Sequence, residues 1–429
     1  MRQHVQQGSA GGSGPRPRRP FLRGGVSPRG VLGLMLALAC ASTPTPPDED
    51  PGPADGDPEE PYTPVFYAPD ELVMGADLSY VNQILDHGGT YRDSLGVRSP
   101  YAIFADHGTN VARLRLWHDP EWVRTEVYED TAVPLYSGLV DVALAMERAK
   151  AQGMEVNLDV HYSDIWADPG RQDVPAAWRD ITDLEVLADS VYRYTRSTLE
   201  HLDARGLLPE MVQVGNETNC GMLVTGTAPG FPELDVCEGR WAAQGTVLNA
   251  GIRAVRDVAP ETRVILHIAQ PENVRWWFDG ITGAGGVTDF DIIGFSYYSP
   301  WSDEPLSSIA GHVADWRQRY GKDVMIMETA YSWTLRNYDS YGNIFGSDSV
   351  VEGYPATPEG QRRYLIDLVQ QVIDGGGSGV FYWEPAWITS DMKDLWGTGS
   401  SWENNTLFDA GGTVHEGMAF YTYPYDLSG

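Results

Sequence analysis

Cysteine is scarce in this sequence, with only Cys40, Cys220 and Cys237 among 429 residues. Three cysteines do not make a disulfide scaffold, and no CxxC spacing indicates a zinc site. The fold must therefore rest mainly on a hydrophobic core. The 42% hydrophobic content is ample for one, and α/β barrels of this length routinely fold as single domains.

Basic residues are also few, at 30 against 60 acidic residues, which gives a formal net charge of −30. Such a polyanion repels nucleic acid and anionic membrane surfaces but tolerates neutral substrates; the charge is equally compatible with a role in solubility alone. Aromatic residues are plentiful, with 14 Trp and 22 Tyr. They stack on the apolar faces of sugar rings, although they also fill ordinary cores.

The first 40 residues have the pattern of an export signal. Residues 1–30 carry six arginines and no acid, and the apolar run Val31–Ala39 is too short to span a bilayer stably. The sequence Ala-Leu-Ala-Cys resembles a bacterial lipoprotein cleavage box, with Cys40 as the lipidated residue. It departs from the usual box because Ala37 stands where Leu is expected. An ordinary secretory signal, cut near Ala39 or Ala41, is the alternative.

Residues 41–61 are rich in Pro, Asp and Glu and contain no aliphatic residue larger than Ala. A segment of this composition cannot bury enough surface to fold, so we expect a disordered, stiff tether. Residues 62–429 have a globular composition and form the expected catalytic domain.

Short apolar runs alternate with helical patterns along that domain, with no sequence repeat at a fixed period. The predicted strands are Met74–Asp77, Val111–Trp117, Val156–His161, Val212–Asn216, Val264–Ile268, Ile292–Tyr297, Val324–Glu328 and Gly379–Trp383. Predicted helices include Leu139–Gln152, Leu184–Arg205 and Gln361–Ile373. Eight such units predict a closed (β/α)8 barrel with its active site at the C-terminal strand ends. An open doubly wound sheet is the alternative, but no strand leads into a GxGxxG motif or a P-loop.

Polar side chains cluster where the predicted strands end, and two glutamates stand out among them. Glu217 follows Asn216 after the fourth barrel strand, and Glu328 ends the seventh. One such glutamate is more often a structural partner of an arginine, but two at one barrel mouth favour catalysis. Retaining glycoside hydrolysis needs two carboxyl groups roughly 5–5.5 Å apart, one protonated and one ionised.

The chain resembles the arabinogalactan endo-β-1,4-galactanases, a family within the large clan of retaining barrel glycosidases. The resemblance extends over nearly the whole globular part. It includes QVGNETN, and its most specific strings are HYSDIWADPGRQ and YWEPAW. It implies that Glu217 is the acid/base and Glu328 the nucleophile. It also implies endo-acting hydrolysis of β-1,4-galactan, the side chain of pectin, with no required cofactor.

The same resemblance implies roles for further residues. Asn216 would bond the sugar 2-hydroxyl, and Arg115 and Tyr297 would keep Glu328 ionised and oriented. The remaining predicted substrate-binding residues are His161, Tyr162, Asp164, Trp166 and Trp383. Structural readings stay open for most of them: a salt bridge for Arg115, a core hydroxyl for Tyr297, a core imidazole for His161, a turn cap for Asp164 and core packing for each Trp.

Two departures from the family pattern concern calcium and cysteine. Bacterial members often carry a calcium loop after the seventh strand, where this chain places Asn337, Asp339, Tyr341 and Asn343. Tyr is a poor calcium ligand and one carboxylate remains, so Asp339 and Asn343 are weak candidate ligands. Cys220 and Cys237 could pair in an exported protein, closing a loop worth about 3 kcal/mol in the chain-entropy model.

The sequence thus predicts a monomeric, exported bacterial glycanase that acts on galactan and contacts a membrane only through Cys40. Two other functions remain open at this stage. One is a retaining barrel glycanase acting on mannan or xylan, and the other is a non-catalytic glycan-binding protein of the cell surface. The presence of both glutamates disfavours the second.

Overall fold

Eight parallel strands close into a barrel in the computed structural model, which describes residues 62–428. The barrel strands are β1 (Val73–Asp77), β4 (Val111–Leu116), β5 (Glu155–Val160), β6 (Met211–Val214), β7 (Arg263–Ala269), β8 (Ile292–Ser296), β9 (Asp323–Glu328) and β10 (Gly379–Tyr382). Neighbours follow chain order around the ring, and β10 closes onto β1. The predicted (β/α)8 barrel is confirmed and the open sheet is excluded. The predicted export signal and tether lie outside the described residues.

Helices surround the barrel: α1 (Val81–Asp86), α2 (Pro100–Asp106), α3 (Leu139–Lys150), α4 (Leu184–Asp203), α5 (Trp241–Val258), α6 (Pro271–Gly283), α7 (Ile309–Tyr320) and α8 (Pro358–Asp374). Helix α8 begins at Pro358, three residues before the predicted start at Gln361. The Thr357 hydroxyl accepts from the Gly360 amide and Pro358 fills the first turn, an N-cap signal that precedes the apolar pattern. The structure also contains a small hairpin, β2 (Tyr91–Asp93) and β3 (Gly96–Arg98), too short for periodicity to reveal.

The barrel interior changes from apolar to polar along each strand. An apolar cluster that includes Val111, Ile265 and Phe381 fills the lower interior. Because alternate residues share a face, the same face of β4 then presents Arg113 and Arg115, and that of β7 presents His267. All three side chains are buried. The C-terminal end of the barrel is therefore the polar end, where β/α barrels carry their active sites.

Outside the barrel, the loop after β6 is closed by a disulfide. Cys220 and Cys237 are bonded, with their Cα atoms 5.0 Å apart, as the sequence suggested. Residues 64–428 belong to one compact unit. None of the helices formed by residues 62–428 combines the length and the apolar character needed to cross a membrane.

Candidate active site

Glu217 and Glu328 meet at the C-terminal mouth of the barrel. Glu328 is the last residue of β9, whereas Glu217 lies three residues beyond β6, with a left-handed backbone (φ 46°) that a non-glycine residue adopts only at a cost. A carboxylate oxygen of Glu217 and one of Glu328 lie within 4.8 Å of each other. Both side chains are nearly buried. This is the close spacing expected of a retaining pair.

Glu328 is held by Arg113 and Tyr298. Arg113 Nη1 lies 2.9 Å from Glu328 Oε1, and the Tyr298 hydroxyl donates to Oε2 at 3.0 Å. Both contacts favour the ionised carboxylate. Arg113 is shared, however, because it also pairs with Asp77 at 2.8 Å and Asp159 at 2.9 Å. Three carboxylates around one guanidinium leave Glu328 only partly compensated.

The prediction that Arg115 and Tyr297 hold Glu328 was wrong. Arg115 lies one interior layer above Arg113, where it pairs with Glu384 at 3.2 Å and its guanidinium lies 3.8 Å from the ring centre of Trp166. The Tyr297 hydroxyl donates to the Glu304 carbonyl. Alternation explains the second error: Ser296 faces the interior at the end of β8, so Tyr297 faces outward and Tyr298 inward.

Burial raises the pKa of both glutamates, and the neighbouring side chains make the two pKa values differ. At Glu217, burial and then the nearby charge of Glu328 hold the pKa well above its ordinary value. Burial raises the pKa of Glu328 to about 7, and Arg113 and the Tyr298 hydroxyl oppose that rise. Glu217 therefore keeps its proton when Glu328 ionises. The pair has the protonation states that a nucleophile and a general acid require.

Glu217 belongs to a short hydrogen-bond network at the barrel mouth. Ser296 Oγ donates to Glu217 Oε1 at 2.6 Å and lies 2.9 Å from His267 Nε2. Burial, followed by the positive charge of Arg113, depresses the pKa of His267 well below its usual range, so its imidazole is neutral. Ser296 thus fixes the orientation of the Glu217 carboxyl and favours its ionised form.

We expect Ser296→Ala to raise the pKa of Glu217, because the variant loses a hydrogen bond that stabilises the carboxylate. Glu217 must be protonated in the first chemical step, so the alkaline limb of the kcat/KM profile should move to higher pH. The acidic limb, which reports ionisation of Glu328, should move less. Ser163→Ala, at another buried serine, in the loop after β5, is the matched control. An unchanged alkaline limb in Ser296→Ala would contradict this role of Ser296.

Asn216 is locked in place beside the acid/base. Its Oδ1 accepts from Arg113 Nη2 at 2.8 Å and from Gln213 Nε2 at 2.9 Å, and its Nδ2 donates to the Ala167 carbonyl. One N–H of the amide remains for a ligand. The predicted contact with a sugar hydroxyl is compatible with this geometry.

The three polar residues predicted after β5 all form hydrogen bonds within the protein. His161 has both ring nitrogens engaged, Nε2 with Asp159 at 3.0 Å and Nδ1 with the Ala167 amide at 3.0 Å. The Asp164 carboxylate accepts from the amides of Asp119 and Ala176. Tyr162 requires a correction: it is buried with its hydroxyl bonded to Thr195 of α4, so it faces the helix layer and not the mouth.

Aromatic side chains line the mouth on the side of β10 and β5. Trp383 and Trp166 lie 5.8 Å apart between ring centres and are half-buried, which leaves ring surface accessible. Trp402 packs edge-on against Trp383 at 4.8 Å, and Trp387 is buried behind them. A role for Trp383 and Trp166 as sugar platforms is compatible with this exposure and stays a prediction, while Trp387 belongs to the core.

Several residues of this site were not predicted as site residues, namely Arg113, Tyr298, Ser296, Asp77 and Glu384. Arg113 carried a usable signal, since it shares a strand face with Arg115. Ser296 and Tyr298 could have been found by applying the same alternation to β8. Nothing local marks Asp77, whose role depends on closure of β1 against β4.

The weak calcium candidates do not fit a calcium ion. Asp339 Oδ1 accepts from the Tyr341 amide, and Oδ2 accepts from Thr389 and from the Ser400 amide. Asn343 has its Nδ2 on the Arg336 carbonyl and a buried Oδ1 without a hydrogen-bond partner. One open amide oxygen is far short of the six to eight oxygens that calcium takes.

Residues 73–421, which include every site residue described above, match glycosyl hydrolase family 53. This chain belongs to that family. An arabinogalactan endo-β-1,4-galactanase of Cellvibrio japonicus is 46% identical over 79% of this chain and 86% of its own length. An endo-β-1,4-galactanase of Bacillus subtilis is 34% identical over 78% and 76%. Among solved structures, an Ignisphaera aggregans GH53 catalytic domain matches with a TM-score of 0.75 and 32% identity, over 85% of this chain and 99% of that one.

Proposed function

We propose that this glycosyl hydrolase cleaves β-1,4-galactosidic bonds inside the (arabino)galactan side chains of pectin, with retention of configuration. The observation that carries the proposal is the pair Glu217 and Glu328, whose carboxylate oxygens approach within 4.8 Å. That spacing leaves no room for the extra water that an inverting mechanism places between its carboxyls. The named galactanase relatives, at 46% and 34% identity, support galactan as the substrate.

In the first step Glu328 attacks the anomeric carbon while Glu217 protonates the departing glycosidic oxygen. A new bond forms between the glutamate oxygen and the anomeric carbon, and the leaving chain departs as a neutral alcohol. Arg113 and Tyr298 hold the attacking carboxylate in place through contacts of 2.9 and 3.0 Å. Orientation of this kind supplies much of the rate increase in such reactions.

In the second step Glu217 acts as a base toward water. Glu328 is now an uncharged ester, so the like charge that raised the pKa of Glu217 has gone and the carboxylate is easier to form. Ser296 stabilises that carboxylate through its 2.6 Å hydrogen bond. Water attacks the anomeric carbon, Glu217 takes its proton, and Glu328 is released in its original state.

A panel of polysaccharides tests the substrate. We expect short galacto-oligosaccharides from linear β-1,4-galactan and little release from β-1,4-mannan or β-1,4-xylan, measured by sizing the products over time. A shift first to intermediate lengths indicates endo cleavage. Release from mannan or xylan with none from galactan would assign another glycanase specificity. Binding without release would indicate a non-catalytic surface protein.

We also propose that the protein is exported, anchored through a lipid on Cys40, and monomeric. The support is the basic, apolar and small-residue order of residues 1–40 and the acidic, Pro-rich stretch 41–61. Cys40→Ala should release the enzyme from the membrane fraction into the soluble fraction, while an enzyme that stays membrane-bound would exclude the anchor. Light scattering of the catalytic domain should give the mass of a single chain.

A further inference from the structure

The guanidinium of Arg113 is surrounded by oxygens of the protein itself. Its three nitrogens lie within 3.3 Å of side-chain oxygens of Gln213, Asp159, Asn216, Asp77 and Glu328. A guanidinium has five N–H groups, so these five neighbours leave none for a sugar hydroxyl. The side chain is also buried. Arg113 therefore acts on the reaction through the charges that it compensates.

Asp77 and Glu328 share the same nitrogen of that guanidinium. Arg113 Nη1 donates to Asp77 Oδ2 at 2.8 Å and lies 2.9 Å from Glu328 Oε1. The other oxygen of Asp77 accepts from the Ser79 amide at 3.1 Å and from the Ser79 hydroxyl at 2.5 Å. These contacts fix Asp77 in the barrel interior, where it is fully buried. It is a permanent competitor of Glu328 for the positive charge of Arg113.

Asp159 takes a second share of the same charge from the neighbouring strand. Its Oδ2 accepts from Arg113 Nη2 at 2.9 Å, and its Oδ1 accepts from Gln213 Nε2 at 2.6 Å. Burial acts to raise the pKa of Asp159, but Arg113 and then His161 outweigh it and hold the pKa below its ordinary value. Asp159 therefore stays ionised near pH 7, where Glu328 loses its proton.

The other ionisable groups around Glu328 carry no charge in that pH range. The ionisable side chains that face it from the surrounding elements are Arg113, Asp77, Asp159, Glu217, His267 and Tyr298. Burial raises the pKa of the glutamate and of the tyrosine well above their ordinary values and lowers the pKa of the histidine. After β10, Glu384 pairs with Arg115 instead. The charges that remain are those of one guanidinium and two aspartates.

We propose that Asp77 and Asp159 are positioning residues, which share Arg113 with Glu328 and thereby set the lower pH limit of activity. The proposal rests on the proposed function, in which Glu328 is the nucleophile. Each aspartate takes part of the guanidinium charge and disfavours a further negative charge beside it. Glu328 is therefore a stronger base than it would be beside an unshared Arg113. It also takes up its proton, and loses activity, at a higher pH.

Asp77→Asn tests this role, because it removes the charge and keeps the shape of the side chain. The substrate is an aryl β-galactobioside with a good leaving group, whose first step needs no proton from Glu217. The acidic limb of its kcat/KM profile therefore reports Glu328. That limb should move about one pH unit toward lower pH, the smaller end of the shift that a neighbouring charge causes. Asp159→Asn should move it in the same direction.

Asp93→Asn is the matched control, since Asp93 is a largely buried aspartate that pairs with Arg98 at 2.6 Å in the hairpin outside the barrel. It should leave the limb in place. Near-UV circular dichroism checks folding, and if Asp77→Asn does not fold, Asp159→Asn decides the result.

A folded variant at either aspartate that loses rate while its acidic limb stays in place would overturn the proposal, because the aspartate would then support structure alone. A limb that moves to higher pH would overturn it as well. The proposed function fails in a different way, through a wild-type enzyme that is inactive on both galactan and the aryl galactobioside.

Discussion

Glu328→Gln should be almost inactive on every galactoside, by about 10⁴-fold or more, the scale of loss seen when a nucleophile is removed. An amide at this position cannot attack the anomeric carbon. Arg113 would still be compensated by Asp77 and Asp159, so the barrel should fold. Initial rates on galactan and on an aryl β-galactobioside measure the loss.

Azide supplies the control for that result. In Glu328→Ala, azide can enter the space of the lost carboxylate. There it can directly attack the anomeric carbon of an aryl galactobioside. The product should be the α-galactobiosyl azide, because one displacement inverts configuration. A β-azide from this variant would mean that a glycosyl-enzyme still forms, and Glu328 would not be the nucleophile.

Glu217→Gln should reduce the rate of cleavage by different amounts for substrates with different leaving groups. Galactan requires a proton on its departing oxygen, so its hydrolysis should fall by about 10²–10⁴-fold, the usual contribution of general acid catalysis. An aryl galactobioside with an acidic phenol departs without that proton, so its first step should remain fast. The variant also lacks the base for the second step. A rapid burst of phenol followed by slow turnover is therefore expected.

The pH profile of the same variant provides a second measurement. In the wild type, activity on galactan is lost at low pH as Glu328 becomes protonated and at high pH as Glu217 loses its proton. The raised pKa of Glu217 places the alkaline limit well above that of an ordinary carboxyl group. For the aryl substrate, the first step in Glu217→Gln should have no alkaline limb from this group. Persistence of that limb would assign it to another residue.

The features that could be predicted from sequence are those that depend on short-range pattern. Each barrel strand is a run of alternating or continuous apolar residues. Glu328 ends one such run, and Glu217 comes shortly after another. The closure of eight strands then brings these ends together without further information. This is why the fold and both glutamates were found without coordinates.

The features that were missed depend on how far along the barrel axis a side chain lies and on which way it points. Arg113 and Arg115 share a face of β4, and only the stagger of neighbouring strands decides that Arg113 reaches Glu328 while Arg115 reaches Glu384. Tyr162 has a left-handed backbone (φ 52°) that turns its side chain toward α4, which no periodicity predicts.

The division of roles between the two glutamates is tested most directly by trapping the intermediate. A 2-deoxy-2-fluoro-β-galactobioside with a good leaving group should form the glycosyl-enzyme and slow its hydrolysis. Mass spectrometry of the digested protein should then find one added fluoroglycosyl mass on the peptide that contains Glu328. A label on the peptide containing Glu217, or no covalent label while the leaving group is released, would contradict the account.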